Sequence, residues 1–523
     1  MTTSLHLVVP SLSTLSLTAI SILFITILLL IKSRTRRGRL PPGPWGLPLI
    51  GHLHLLGPMV HHTFQSLSAR YGPIVYLNFG SVPVVLVSSP DLAREFLKTH
   101  ELTFSSRKHS MAIDRLTYNS AFAFAPYGPY WKFIKKLSTV DLLGTKTLAK
   151  FQPIRRRECH RFLKVLMAKA DEAAPVNLTE ELLKLTNNII SQMMIGVRTS
   201  ETKGQAEEVR ALVREVTRMF GEFNVSDFVT VLKGVDLNGM KERVEKVFRK
   251  YDGLLERIIS ERETQGRCDG ENDAVKDFLD ILLDVMYDEH AEMKLTRNHI
   301  KALILDYFTA ATDTSAIVME WAMAELINNE AIMQAARDEI DKVVGKNRIV
   351  EESDVPNLPY IQAIIKETLR LHPPIPVLAR KSTKEVTVAG YTIPEGSILF
   401  INNWDMVRNP KYWDSPLEFK PNRFLSADGP DVKGQHFNVL PFGSGRRGCP
   451  GMTLAMMELP MVFAAMVQCF EWKLPGSSGE KMMVDMTEQP GLTAPRANDL
   501  LCVPVARAGV RECDVFQLVS VGK

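Results

Sequence analysis

The chain has 523 residues, 45% of them hydrophobic and 23% charged, a balance that excludes a disordered protein. Of its formal charge of +4, five positive charges sit in one acid-free stretch, at Lys32, Arg34, Arg36, Arg37 and Arg39. The remainder is close to neutral, so there is no nucleic-acid footprint and no nucleic-acid partner is expected.

In chain order, Leu12 to Ile31 is an uncharged, Leu- and Ile-rich run. A helix of that length spans a bilayer core of about 30 Å. A cleaved signal peptide carries its positive charge before the apolar run, whereas here the basic cluster follows it. The order predicts one membrane helix with the body on the cytosolic side. No second segment of comparable length and apolarity is recognised. Pro41-Pro42-Gly43-Pro44 then forbids helix and forms a stiff spacer. The expected organisation is an anchor over 1–31, a basic and Pro-rich linker over 32–48, one domain over 49–507 and a tail over 508–523.

Two β-rich runs, Ile74 to Phe79 and Val82 to Val87, flank Gly80-Ser81 and predict a hairpin. A second small β region runs from Val386 through Tyr391 to Phe400. The periodic stretches 179–199, 205–220, 240–263, 299–328 and 331–344 predict helices, and 264–272 a surface loop. Asn177 is placed to cap the first of these helices. The fold class is mainly α with small β-sheets.

Six cysteines, Cys159, Cys268, Cys449, Cys469, Cys502 and Cys513, are scattered and form no C-x-x-C pair, so no disulfide framework is expected. Cys449 stands apart. It lies in Phe442-Gly443-Ser444-Gly445-Arg446-Arg447-Gly448-Cys449-Pro450-Gly451, just before a helical run over Met452 to Phe470. Glycines let backbone N–H groups approach the sulfur. Pro450 is expected to open the helix, and a helix N-terminus favours thiolate. A lone cysteine in a turn is ordinarily an inert buried thiol. A thiolate cradled by N–H donors also suits a ligand to haem iron, where it favours O–O cleavage.

Within the apolar helix 299–328 stands Thr312-Asp313-Thr314-Ser315, four polar side chains that each need a partner. Serine and threonine can bond back to the preceding turn. Glu367 and Arg370 are an i,i+3 pair ahead of His372-Pro373-Pro374, and Trp131 and Lys135 share one helix face. Lys132, Lys136 and Arg446 offer a basic surface.

Every fixed position of F-x-x-G-x-R-x-C-x-G is matched around Cys449, and this loop resembles the haem-binding signature of the cytochrome P450 family. The resemblance runs from the apolar N-terminal stretch to about Arg507. It implies haem b with Cys449 as axial iron ligand, Phe442 beside the sulfur, and Gly445 and Gly451 among the cofactor-binding residues of the loop. It implies Arg447, Trp131, Lys135 and Arg380 as propionate partners, although arginine is usual at the position of Lys135. Ala310-Ala311-Thr312-Asp313-Thr314 looks like the oxygen-activating motif, with Thr314 bonding bound dioxygen and Asp313 relaying protons; most members have glycine where this chain has Ala311. Glu367, Arg370 and Arg423 would form a structural triad. Electrons would come from NADPH through a cytochrome reductase, at the endoplasmic reticulum membrane.

More narrowly, the chain is similar to the plant group that contains flavone synthase II and flavanone 2-hydroxylase. The stretches that carry this are 221–228 (GEFNVSDF), Leu378-Ala379-Arg380-Lys381, Gly434-Gln435-His436-Phe437 and 490–497 (PGLTAPRA). Related isoflavone synthases tend to have lysine in place of Ala379. The implied reaction converts a flavanone to a flavone, directly or through a 2-hydroxyflavanone. Leu116, Phe122, Phe308, Ala311, Val377 and Leu492 would line the pocket. Alternatives are a hydroxylase of another small aromatic, isoflavonoid or terpenoid, a haem-thiolate isomerase or dehydratase, and a non-catalytic haem-binding membrane scaffold.

Overall fold

The computed structural model describes residues 21, 39–198, 205–232, 234–236, 238–265, 275–426, 428–476 and 482–517. Apart from Ser21, the Leu12–Ile31 stretch lies outside the described residues, as do 266–272 of the expected loop.

Seven helices frame the site. They are α1 Pro129–Lys136, α2 Leu178–Ile195, α3 Gln205–Gly221, α4 Met240–Gln265, α5 Arg297–Asn328, α6 Pro359–Leu371 and α7 Met452–Cys469. The expected helices are present with small shifts at their ends. Helix α2 begins where the Asn177 side chain accepts the Glu180 N–H at 3.1 Å. It stops at Ile195 because Gly196 turns left-handed, with φ 68°. Helix α4 runs to Gln265, into the expected loop. Helix α5 starts two residues before His299 because Thr296 and His299 form a reciprocal capping box. Its 32 residues make it about 48 Å long. It is buried around most of its circumference, as an all-round apolar helix must be.

The hairpin is β1 Ile74–Phe79 and β2 Val82–Val87. Strand β3 is Val176–Asn177, β4 Val377–Lys381, β5 Val386–Val388, β6 Tyr391–Ile393, β7 Ile398–Asn402, β8 Phe470–Lys473 and β9 Leu501–Ala506. The four-stranded sheet has the order β1-β2-β7-β4; β7 is parallel to β2 and antiparallel to β4. Strand β4 has no strong sequence signal, being short, partly charged and preceded by prolines. Its pairing with β7 makes it a strand. Phe470, expected to end α7, opens β8 instead.

The main core lies among the helices. Two smaller cores cover opposite faces of the four-stranded sheet, one with Phe96 and Phe437, the other with Phe64 and Phe79. The segment beyond Arg507 is more than a tail, since Val510 and Cys513 are buried against the main core. Helix α7 is long and apolar enough to cross a membrane by composition, contrary to the expectation of no second such segment. It is a core helix instead, with a continuous buried stretch from Glu458 to Cys469.

Candidate active site at the cysteine loop

The loop before α7 is folded by its own backbone. The Cys449 N–H donates to Phe442 O at 2.9 Å and the Gly448 N–H to Gly445 O at 2.8 Å. Gly443 and Gly445 both have φ 68°, the left-handed region where a side chain is strained. At Gly445 a Cβ would also strike the Glu101 carboxylate. That carboxylate accepts from the Arg446 N–H at 2.5 Å and from Arg446 Nε at 2.9 Å. Gly434, in one of the narrower resemblance stretches, lies under the loop; a Cβ there would sit 2.6 Å from Gly443 O.

Pro450 does not open the helix. Gly451 is the cap and Met452 the first helical residue, so Pro450 stands one position before the cap. The physical reason lies in the donors. Proline has no N–H, and the next two amides, of Gly451 and Met452, both donate to the Cys449 sulfur. Sulfur and Gly451 are close, a Cβ on Gly451 falling 3.7 Å from Sγ. Burial is the largest influence on the thiol and lifts its pKa, while the two amides and the Lys135 ammonium pull it back. Cys449 retains exposed surface, yet the protein packed around its sulfur is dense enough for desolvation to govern. A coordinated metal would complete the deprotonation.

Beside the loop, three guanidiniums gather. Arg107 and Arg380 both donate to Ala379 O, and Arg380 reaches Arg447 O at 3.4 Å. Burial lowers the pKa of all three, Arg107 to about 10 and Arg447 to about 9, and neighbouring guanidiniums add to the effect on Arg380 and Arg447. Among the described residues no carboxylate answers them. Trp131 Nε1 and Arg107 Nε are buried donors without a partner. Buried cations and orphaned donors at one place require an anion. The two propionates of haem fit that demand, and the Cys449 sulfur fits its iron. Lys135 donates to Gly448 O at 3.0 Å, so it also braces the cysteine loop. Arg447 lies 4.3 Å from the Trp131 ring and donates to Ser105 O, Phe122 O and Ala125 O. Three of its five N–H groups are thus engaged, leaving part of the fork for an anion.

On α5, Thr314 Oγ1 donates to Ala310 O at 2.6 Å, the back-bond expected of a helical threonine. Thr312 is held by α2: its carbonyl accepts from Thr186 Oγ1 at 2.9 Å and its hydroxyl from Asn187 at 3.3 Å. Asp313 is different. Burial raises its pKa, only partly offset by Arg214, so its carboxyl holds a proton more readily than a free one. A carboxyl that holds a proton readily and a hydroxyl thus adjoin in sequence on α5.

Glu367, Arg370 and Arg423 meet below. Arg370 grips Glu367 with two bonds, of 2.7 and 2.8 Å, and Arg423 Nε reaches the same carboxylate at 3.2 Å. The Lys420 N–H adds a further donor at 2.8 Å. Glu367 and Arg370 are both 0% exposed, so this is no surface pair. Glu367→Gln should cost about 3–5 kcal/mol, the penalty for an uncompensated buried charge. A thermal melt of the purified protein checks this, and an unchanged midpoint would show the triad to be dispensable.

The six expected pocket residues lie in different surroundings. Leu116 has no exposed surface and Phe308 little; both belong to the main core. Val377 packs on the sheet core that contains Phe64, on the face of β4 opposite Leu378 and Arg380. The pleat accounts for this, because successive strand residues face opposite ways. Ala311 is partly buried on α5, and Phe122 stacks on Trp131 at 5.7 Å and 12°. Leu492 lies against α3: a Cβ on Gly221 would meet its amide nitrogen at 2.9 Å. The stretches 221–228 and 490–497 therefore touch, which explains the glycine. Two shallow clefts, one lined by Asp341 and Cys513 and one by Arg156 and Cys159, share no residue with the site. Arg107 and Glu101 were not anticipated. Each is one charged residue among many, and only the fold brings it to the loop.

A cradle of this chemistry defines the class, an oxidoreductase built around haem iron. The cytochrome P450 family model matches residues 41–503. The chain belongs to the cytochrome P450 family and has its mainly helical fold with small sheets. It is 57% identical over 507 residues to cytochrome P450 93B2 of Gerbera hybrida, covering 95% of this chain and 98% of that protein. It is 48% identical over 478 residues to 3,9-dihydroxypterocarpan 6A-monooxygenase of Glycine max, covering 90% and 93%. It is 46% identical over 490 residues to 2-hydroxyisoflavanone synthase of Glycyrrhiza uralensis, covering 90% and 92%. The protein is a P450 monooxygenase, with haem iron, dioxygen and NADPH-derived electrons delivered by a reductase.

Proposed function

We propose that this monooxygenase converts flavanones to flavones, releasing the flavone directly or by way of a 2-hydroxyflavanone. The observation that carries the reading is the contact of Gly221 with Leu492, which joins 221–228 and 490–497, stretches on which the similarity to the flavone synthase group rests. Relatives named for a dihydroxypterocarpan and for a 2-hydroxyisoflavanone, both oxygenated aromatic ring systems, support the substrate class. Ala379, in place of a lysine, favours simple hydrogen removal over aryl migration.

In this reading Cys449 holds the iron, and Trp131, Arg107, Arg380 and Arg447 hold the propionates. When bound, the haem would supply the oxygen activation and oxidising power that the reaction at C2 needs. The chain's own residues orient the ring and manage protons. Asp313 would take a proton from the solvent side, and the Thr314 hydroxyl, here bonded to Ala310 O, would hand it into the site. Apolar neighbours keep other water out. Flavone formation removes two hydrogens from the substrate, and these together with dioxygen, NADPH and a proton give two waters and NADP+. Hydroxylation instead leaves one oxygen on C2.

The anchor over 1–31, the linker over 32–48 and the domain over 49–507 complete the proposal. The apolar run followed by basic residues supports a single-pass protein of the endoplasmic reticulum with its body in the cytosol. The basic surface of Lys132 and Lys136 would meet the reductase. Lys136 pairs with Glu292 at 3.0 Å and Arg446 with Glu101 at 2.9 Å, so both contribute less than Lys132. The test uses membranes holding the protein and a plant reductase, supplied with NADPH and a flavanone. A product two hydrogens lighter is expected, or one heavier by an oxygen. A normal carbon monoxide spectrum with neither product would overturn the flavanone reading.

A further inference from the structure

Residues 117–128 connect the short helix Met111–Leu116 to α1 and carry Phe122. The connection begins with strain, since Tyr118 and Asn119 both have φ 53°. Bonds from three sides hold it. Tyr130 Oη donates to Ser120 O at 2.6 Å. Arg447, from the cysteine loop, donates to the carbonyls of Phe122 and Ala125. Asp306, from α5, accepts the Phe122 N–H at 2.5 Å and also the Ala123 N–H. The Phe122 peptide is therefore gripped through its N–H from the oxygen helix and through its carbonyl from the cysteine loop. Its ring stacks on Trp131, which also meets the Arg447 guanidinium and the Tyr127 ring.

Asp306 is costly to keep. Burial lifts its carboxyl to about 7, and the two amides are the groups that oppose that rise. A side chain concerned only with packing would be apolar at such a place. It lies eight residues, about two helical turns, before Thr314 on the same helix, so it ties the loop to the element that carries the proton-handling residues.

We propose that Asp306 is a positioning residue. By holding the amides of Phe122 and Ala123 it fixes the Phe122 ring between the oxygen helix and the propionate cradle, and so sets how the substrate is presented. The inference rests on the haem-thiolate site and not on the flavanone assignment.

The test compares Asp306→Ala and Asp306→Asn with wild type as full-length haem protein. Amide hydrogen exchange over 120–126 is expected to quicken about ten- to a hundredfold in the alanine variant, and less in the asparagine variant, which keeps one acceptor oxygen. The thiolate-type carbon monoxide spectrum stays normal, while phenylimidazole affinity for the ferric protein shifts. In a Phe122→Ala background the same change should move phenylimidazole affinity little, because the effect runs through that ring. Unchanged exchange over 120–126, or full additivity with Phe122→Ala, overturns the proposal. If the alanine variant fails to assemble, the asparagine variant decides on the same readouts. Neither readout uses a flavanone, so wild type inactive on flavanones would sink the substrate reading and leave this one to be judged alone.

Discussion

Cys449→Ala protein is expected to lose entirely the thiolate-type band of its reduced carbon monoxide complex, together with all oxygenation. The Gly451 and Met452 amides and the Lys135 ammonium turn toward this one sulfur, and the loop around it has no other soft ligand. A methyl group offers iron no electrons, and thiolate donation is what favours O–O cleavage. The fold should survive, because α7 begins beyond the loop and its buried stretch starts at Glu458. A melting midpoint close to wild type with an absent band would separate loss of ligation from loss of structure. An unchanged band would remove Cys449 from the iron.

Thr314→Ala should behave differently, consuming NADPH while product falls by about a hundredfold and peroxide accumulates. The alanine variant loses the hydroxyl but not the helix, since the bond from Oγ1 to Ala310 O is additional to the backbone ladder. Asp313 keeps its more readily protonated carboxyl, but the hydroxyl of the proposed relay would be gone. Thr314→Ser restores a hydroxyl and should recover most of the coupling. Simultaneous measurement of NADPH, peroxide and product decides the matter, and full coupling in the alanine variant would take Thr314 out of the relay.

The site was legible where its parts are consecutive. Phe442 to Gly451 is one stretch with glycines at set places, and Thr312 to Ser315 is a polar step in an apolar helix. Glu367 and Arg370 were visible as an i,i+3 pair, but periodicity alone could not tell a surface pair from one with no exposure. Arg107, Glu101 and Asp306 were invisible, because each reaches its partner across the fold; Glu101 bonds Arg446 over a separation of 345 residues. The long helices were found nearly end to end, since apolar periodicity and caps are local. Strand β4 was missed because its partner β7, not its own residues, makes it a strand. The pocket is the part of the site that sequence resolves least. Core and wall share a composition, and nothing in a string of letters distinguishes Leu116, wholly enclosed, from Leu492 at 41% exposure.

Strand β4 also separates two roles. Its pleat turns Arg380 toward the cysteine loop and Val377 and Ala379 the other way. What position 379 lends to Arg107 and Arg380 is its carbonyl, which every residue type carries. A change of side chain at 379 would therefore leave this grip on the two guanidiniums in place, so the position can alter the reaction without loosening the cofactor cradle.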